Sequence, residues 1–302
     1  MTMKLKKKIE LSKTLEEIEI NKDSKSIISM LDDHHSKPKA HVLGITGPPG
    51  VGKSSLIDRL IKYLRKKKFS VGVIAVDPSS SQSGGALLGD RTRFALDPND
   101  DDVFVRSMAT KNYLGGVSEL TYPTMIVMRA MFDYLIIETV GVGQSETNIK
   151  DIVDTVVLCV QPGSGDTIQF MKSGVFEIPD IVTVTKSDIE KLSDLTYSDL
   201  LGSKEYFKKN DDWNIKIILT SSHKNFGIND LFNELLERWL WLKKKLKKLR
   251  FNQDQMWIKK TIITDYGTIG LSKLENKINY KSAPFKTLGA LKKKIETKKF
   301  IY

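Results

Sequence analysis

Residues Gly47, Pro48, Pro49, Gly50, Val51, Gly52, Lys53 and Ser54 satisfy the pattern G-x-x-x-x-G-K-[S/T], between the apolar run HVLGIT (41–46) and the helix-periodic run SLIDRLIKYLRKK. The pattern needs that context: a buried strand, a glycine-rich turn, then a helix whose positive end faces the turn. Backbone N–H groups from Gly47 to Ser55 can then close around phosphate oxygens. Lys53 adds a cation near the β and γ phosphates, which makes it the first catalytic candidate, and the Ser54 hydroxyl is a magnesium ligand. A nucleoside triphosphate site is the expectation.

Magnesium prefers several oxygen ligands, and neighbouring strand ends are where a P-loop protein finds them. Three carboxylates are well placed: Asp77 closing VGVIAVD, Asp90 in the polar stretch DPSSSQSGGALLGDRTRF, and Glu138 inside the apolar YLIIETVG. Glu138 is the most informative, because a buried carboxylate without a cation or proton is costly. Asp100 to Asp102 follow Pro98-Asn99 and read as a solvated turn. His34 and His35 have no ligand partner at a useful spacing. The single cysteine, Cys159 in VVLCV, reads as a buried structural residue and rules out an internal disulfide.

These residues need a scaffold, and the hydrophobic pattern describes one. Apolar, β-branched runs recur at 41–46, 71–77, 103–109, 134–141, 155–162, 181–188 and 215–221, mostly separated by stretches of helical periodicity. Strands apolar on both faces and alternating with helices imply an α/β P-loop NTPase G domain with a mostly parallel, doubly wound sheet, spanning about 39–235. Residues 1–38, with Ile18, Ile27, Ile28 and Leu31 scattered among charges, predict an N-terminal helical strap ending near Lys37-Pro38. Beyond 235 lies a C-terminal helical segment, 236–302. Ile228, Phe232, Leu235, Trp239, Leu242, Leu246 and Leu249 recur at alternating spacings of four and three, a short heptad seam. Its far half must be covered by the remaining C-terminal helices or by a second subunit, and a homodimer is the expectation.

The chain has 302 residues and a formal net charge of +11. Nearly all of that charge is lysine, spread in runs such as Lys66 to Lys68 and Lys243 to Lys245, whereas base readout and bidentate phosphate contacts favour arginine. A solvated surface is expected rather than a nucleic-acid partner. No apolar run approaches the ~20 residues of a membrane helix. The N-terminus MTMKLKKKIE lacks an apolar h-region or an Arg/Ser-rich presequence. A cytoplasmic protein is the expectation.

The motifs also have an order. After the P-loop come the loop bearing Asp90, Glu138-Thr139-Val140-Gly141, Thr185-Lys186-Ser187-Asp188, and Thr220-Ser221-Ser222. This resembles a G protein, in which the fourth motif's carboxylate accepts hydrogen bonds from guanine N1 and the 2-amino group while the lysine stem packs on the base. Adenine cannot satisfy such a carboxylate. The blocks GITGPPGVGKSSL, VIAVDPSSSQSGGALLGDRTRF, VRSMATKNYLGGV, ETVGVGQSE and PGSGDTIQFMKSGVFEIPDI are similar to the MeaB/ArgK/MMAA family, GTPase chaperones of methylmalonyl-CoA mutase, over about 39–260.

The resemblance implies a homodimer that binds GTP or GDP with Mg2+, hydrolyses GTP slowly, and gates adenosylcobalamin delivery to the mutase or a related cobalamin-dependent acyl-CoA mutase. It implies Ser54, Asp77, Asp90 and Glu138 at the metal, and Lys186, Asp188, Ser221, Ser222 and His223 around guanine. It also implies a partner-responsive switch in GSGDTIQ, with Gly163, Asp166 and Gln169. Val142 stands where Ras-like proteins carry a water-orienting glutamine, which leaves Gln144 as the catalytic candidate and predicts slow intrinsic turnover. Thr185 replaces the family's asparagine and so alters a brace between loops. Competing readings are a P-loop kinase linked to amino-acid transport and a GTPase chaperone of another metalloenzyme; one cysteine and four histidines give the latter little support.

Overall fold

The computed structural model describes residues 3–77, 94, 97, 100–109, 120–139, 149–163, 178–203, 212–274 and 283–297. Among the described residues seven strands form one sheet: β1 His41–Thr46, β2 Val71–Asp77, β3 Val103–Ala109, β4 Tyr134–Glu138, β5 Thr155–Val160, β6 Ile181–Val184 and β7 Lys216–Leu219. Their order is β3-β2-β4-β1-β5-β6-β7, and every pairing is parallel. The reason is visible strand by strand. β1, β2, β4, β5 and β6 are buried along their whole length, as strands covered on both faces must be.

Helices α1 Met3–Asn21, α2 Lys25–His35 and α4 Thr121–Met131 cover one face. There Leu11, Leu15 and Ile18 of α1 join Ile27, Leu31, Met125, Ile126, Ile74 and Ile137 in one core. Helices α3 Lys53–Lys66 and α6 Ile228–Leu242 cover the other, where Leu56, Leu60 and Leu64 meet Leu231, Phe232 and Leu235 over Leu43 and Ile45. α5 Glu190–Gly202 packs by Leu200 beside β5 and β6. The N-terminal strap is therefore two helices, broken at Lys22 to Ser24, where the Ser24 hydroxyl accepts from the Ile27 N–H (3.3 Å) and caps α2.

The heptad seam is not one helix. α6 stops at Leu242, residues 243–245 turn, and α7 Leu246–Ser272 begins afresh before α8 Pro284–Thr297. Side-chain destinations explain the break. On a straight helix Trp239 and Arg250 would stand roughly 16 Å apart along the axis. In the fold the Arg250 guanidinium lies 5.9 Å from the Trp239 ring. Trp239 stacks on His41 (4.4 Å between centroids), and Arg250 forks onto Asp154 with bonds of 2.9 and 2.7 Å. Of the far half of the stripe, Leu242 is buried within the chain while Leu246 and Leu249 are half-buried; further on, Ile258, Ile262, Leu271, Leu288, Leu291 and Ile295 form a cluster across α7 and α8, and Phe285 joins the core under α2.

The turn at Asp100 to Asp102 is anchored rather than solvated. Arg65 reaches Asp100 (2.8 Å) and Asp102 (3.1 Å), and Lys8 donates to the Asp100 carbonyl (2.7 Å). His35 bonds Asp254 at 3.0 Å, and His34 bonds the Met30 carbonyl. Cys159 is fully buried, and burial pushes its thiol up to about 12, away from thiolate chemistry. Among the described residues no helix is long and apolar enough to cross a membrane.

Candidate functional site

In an all-parallel sheet the loops after the strands gather on one edge, and the break in strand order beside β1 opens a crevice there. The P-loop leaves β1 at that point. Gly47 has φ 137°, and a Cβ on it would lie 2.3 Å from the Cys159 carbonyl oxygen, so the turn can pass beside β5 only without a side chain. Gly50 (φ 73°) and Gly52 (φ 100°) complete the curl. Gly52 is the N-cap of α3 and offers no side-chain cap, so the first-turn N–H groups face the loop. Lys53 is buried, and its ammonium donates to the Gly47 and Pro48 carbonyls at 2.7 and 2.9 Å.

The oxygen donors converge as the strand order requires. The Ser54 hydroxyl donates to Glu138 Oε1 at 2.8 Å. Glu138 is buried at the end of β4, opposite Ile45 of β1 and Ala75 of β2, which places Asp77, also buried, two residues further along the neighbouring strand. A Thr46–Thr139 hydroxyl contact of 2.9 Å ties the ends of β1 and β4 together behind them. Asp90, Gln144, Asp166 and Gln169 lie outside the described residues, whereas Gly163 is described, with φ 69° and its N–H on the Thr196 hydroxyl (3.2 Å).

The second cluster follows β6 and β7. The Thr185 N–H continues the ladder to the Val160 carbonyl (2.8 Å), and its hydroxyl donates to the Val51 carbonyl of the P-loop at 2.6 Å. Threonine thus braces the two loops with a hydroxyl. Thr185→Val is expected to weaken GDP about fivefold, one neutral hydrogen bond of about 1 kcal/mol, with base preference unchanged. Calorimetric titration checks this, and an unaltered Kd would show that the brace carries no binding energy.

Lys186 is held at φ 52°, and its ammonium donates to the Gly50 carbonyl (2.8 Å) and to Gln161 Oε1 (2.9 Å). The Ser187 N–H reaches the Thr220 carbonyl at 3.0 Å. Asp188 Oδ1 accepts from the Ser221 hydroxyl at 2.5 Å, and that bond, with one from its own backbone N–H, holds the carboxyl below its usual range. Ser221 is fixed in turn by paired backbone bonds to Phe226 at 3.0 Å and by the Lys224 N–H on its hydroxyl. Ser222 is half-buried and His223 exposed on the same loop. Gln161 was not among the residues singled out by spacing; it follows an apolar strand with no local pattern to mark it.

The arrangement joins a phosphate loop, an oxygen cluster and a Lys-x-Asp corner along one sheet edge. The family described as methylmalonyl Co-A mutase-associated GTPase MeaB matches residues 11–268. The chain belongs to the MeaB family of GTPases. A Pyrococcus horikoshii protein whose name assigns it provisionally as a GTPase is 42% identical over 231 residues, 75% of this chain and 73% of that protein. The mouse mitochondrial methylmalonic aciduria type A homolog is 34% identical over 235 residues, 74% of this chain and 56% of the mouse protein. The crystal structure of a LAO/AO transport system kinase superposes with a TM-score of 0.67 at 22% identity, covering 96% of this chain and 93% of that one, a likeness of fold. As a MeaB-family GTPase the chain binds guanine nucleotide and hydrolyses GTP.

Proposed function

We propose that this MeaB-family GTPase is a magnesium-dependent chaperone of a cobalamin-dependent acyl-CoA mutase, methylmalonyl-CoA mutase or a relative, whose GTP cycle gates adenosylcobalamin loading and protects the loaded enzyme. The observation that carries the reading is the family match across 11–268, spanning the nucleotide-binding edge and α7 as far as residue 268. The donors at that edge suit a hard cation: a hydroxyl from Ser54, already bonded to Glu138, and the buried carboxylates of Glu138 and Asp77. With Asp90 they would hold Mg2+, which when bound neutralises charge on the β and γ phosphates.

The chain's own residues supply the rest. The Gly47 to Ser55 backbone holds the phosphates, Lys53 offsets charge on the transferring group, and Asp188 with Lys186 reads guanine, flanked by Ser221, Ser222 and His223. Gln144 is the candidate for orienting water. Gly163, Asp166 and Gln169 belong to a segment that answers to the partner. Intrinsic turnover is slow and rises when the mutase binds. Exposed Leu236 and Leu240, one turn apart on α6, with exposed Phe251 and Met256 on α7, support a homodimer joined through the C-terminal helices.

The test is a pull-down with the organism's acyl-CoA mutase in GDP and in a non-hydrolysable GTP analogue, followed by a GTPase assay of the complex. Nucleotide-dependent capture and faster hydrolysis are expected. Absence of capture in both nucleotides would sink the chaperone role.

A further inference from the structure

We infer that Gln161 is a positioning residue for the guanine site, acting through Lys186. The inference rests on the reading of Lys186 as the side chain that packs on the base. β5 ends at Val160, and the next residue sends its amide oxygen, Oε1, to the Lys186 ammonium at 2.9 Å. The same ammonium donates to the Gly50 carbonyl at 2.8 Å, so Lys186 bridges the P-loop and the end of β5.

Two features show that this position is imposed. Lys186 has φ 52°, a left-handed conformation that a lysine adopts only when its surroundings hold it. The flanking bonds do so, from the Thr185 N–H to Val160 and from the Ser187 N–H to Thr220. The side chain itself is exposed, and a free lysine stem would sample many rotamers. Gln161 and Gly50 hold it on one course between the P-loop and the end of β5.

The chemistry of the tether also matters. A carboxylate at 161 would grip the ammonium more strongly but would add negative charge beside the loop that must receive phosphates. A neutral amide orients the lysine without that penalty. Gln161 thus serves base binding while leaving phosphate electrostatics intact.

Calorimetric titration of GDP and GTP into the full chain tests this, using Gln161→Ala, Gln161→Glu, Lys186→Ala and the double variant Gln161→Ala/Lys186→Ala. Gln161→Ala is expected to weaken GDP and GTP by the same factor, about fivefold. It should add no further loss in the Lys186→Ala background, because its route is already gone. Gln161→Glu should recover most of the GDP loss and less of the GTP loss. Fully additive losses in the double variant would overturn the inference, as would unchanged affinity in Gln161→Ala. If Lys186→Ala itself leaves affinity intact, the base-stacking reading falls along with it; a loss in Lys186→Ala with none in Gln161→Ala overturns the role of Gln161 alone.

Discussion

Asp188→Asn is expected to weaken GTP binding by about a hundredfold or more and to turn the preference toward xanthosine triphosphate. In the proposed reading the carboxylate would accept from two guanine N–H groups, and the bond from Ser221 fixes its orientation and holds its pKa below the usual range. Asparagine presents an amide N–H to one of those donors, so two donors face each other. Xanthine carries a carbonyl where guanine has its amino group, and that oxygen can accept from the new amide. The loop itself should survive, because the Ser221 hydroxyl can donate to the asparagine oxygen as it does to the carboxylate. Competition binding with the two triphosphates reads the outcome directly. A variant that still prefers GTP would mean that this corner does not read the base.

Arg250→Ala should lower folding stability by about 3–5 kcal/mol, the range found when one partner is removed from a buried ion pair. Arg250 makes a two-pronged contact with Asp154 and donates to the Ala40 carbonyl at 2.9 Å, while Asp154 Oδ2 also accepts from the Val42 N–H at 2.8 Å. Burial alone would raise the Asp154 carboxyl, but the Arg250 charge and hydrogen bonds outweigh it and the net shift is downward. The sign of the pH dependence follows. A depressed carboxylate contributes stability above its unfolded pKa and loses it as pH falls, so wild type and variant should converge on acidification. Urea unfolding at neutral and acid pH measures both effects, and a neutral-pH loss below about 1 kcal/mol would contradict the assignment. The pair lies at the start of β1 and β5, away from the P-loop edge, so nucleotide affinity in the folded variant should change little.

Much of the architecture was legible because local pattern and fold agree. Apolar runs at 41–46, 71–77 and 103–109 became strands with those same bounds, and the glycine, lysine and serine of the P-loop stand where their spacing put them. What escaped the sequence depends on partners far along the chain. Lysines 243–245 carry no residue that demands a helix break; the break follows from Trp239 finding His41 and Arg250 finding Asp154, 96 positions away. Asp100 looked solvated because Arg65 lies 35 positions upstream. Thr185 reads in sequence as an altered brace between loops, and that its hydroxyl makes the brace shows only once Val51 lies beside it. Gln161 has a functional contact only once β5 and β6 are side by side.

The contacts of α6 and α7 bear on modularity. Past residue 235 the chain contributes Arg238, paired with Asp180 at 2.7 Å and set against the rings of Trp213 and Trp241. It then contributes Trp239 over His41 and Arg250 on Asp154. A chain cut after the last sheet-packing turn of α6 would remove Arg238 from Asp180, Trp239 from His41 and Arg250 from Asp154 in one stroke, leaving two buried carboxylates without the arginine paired to each. The nucleotide-binding unit therefore has no clean excision point on its C-terminal side. The helices that follow must travel with it.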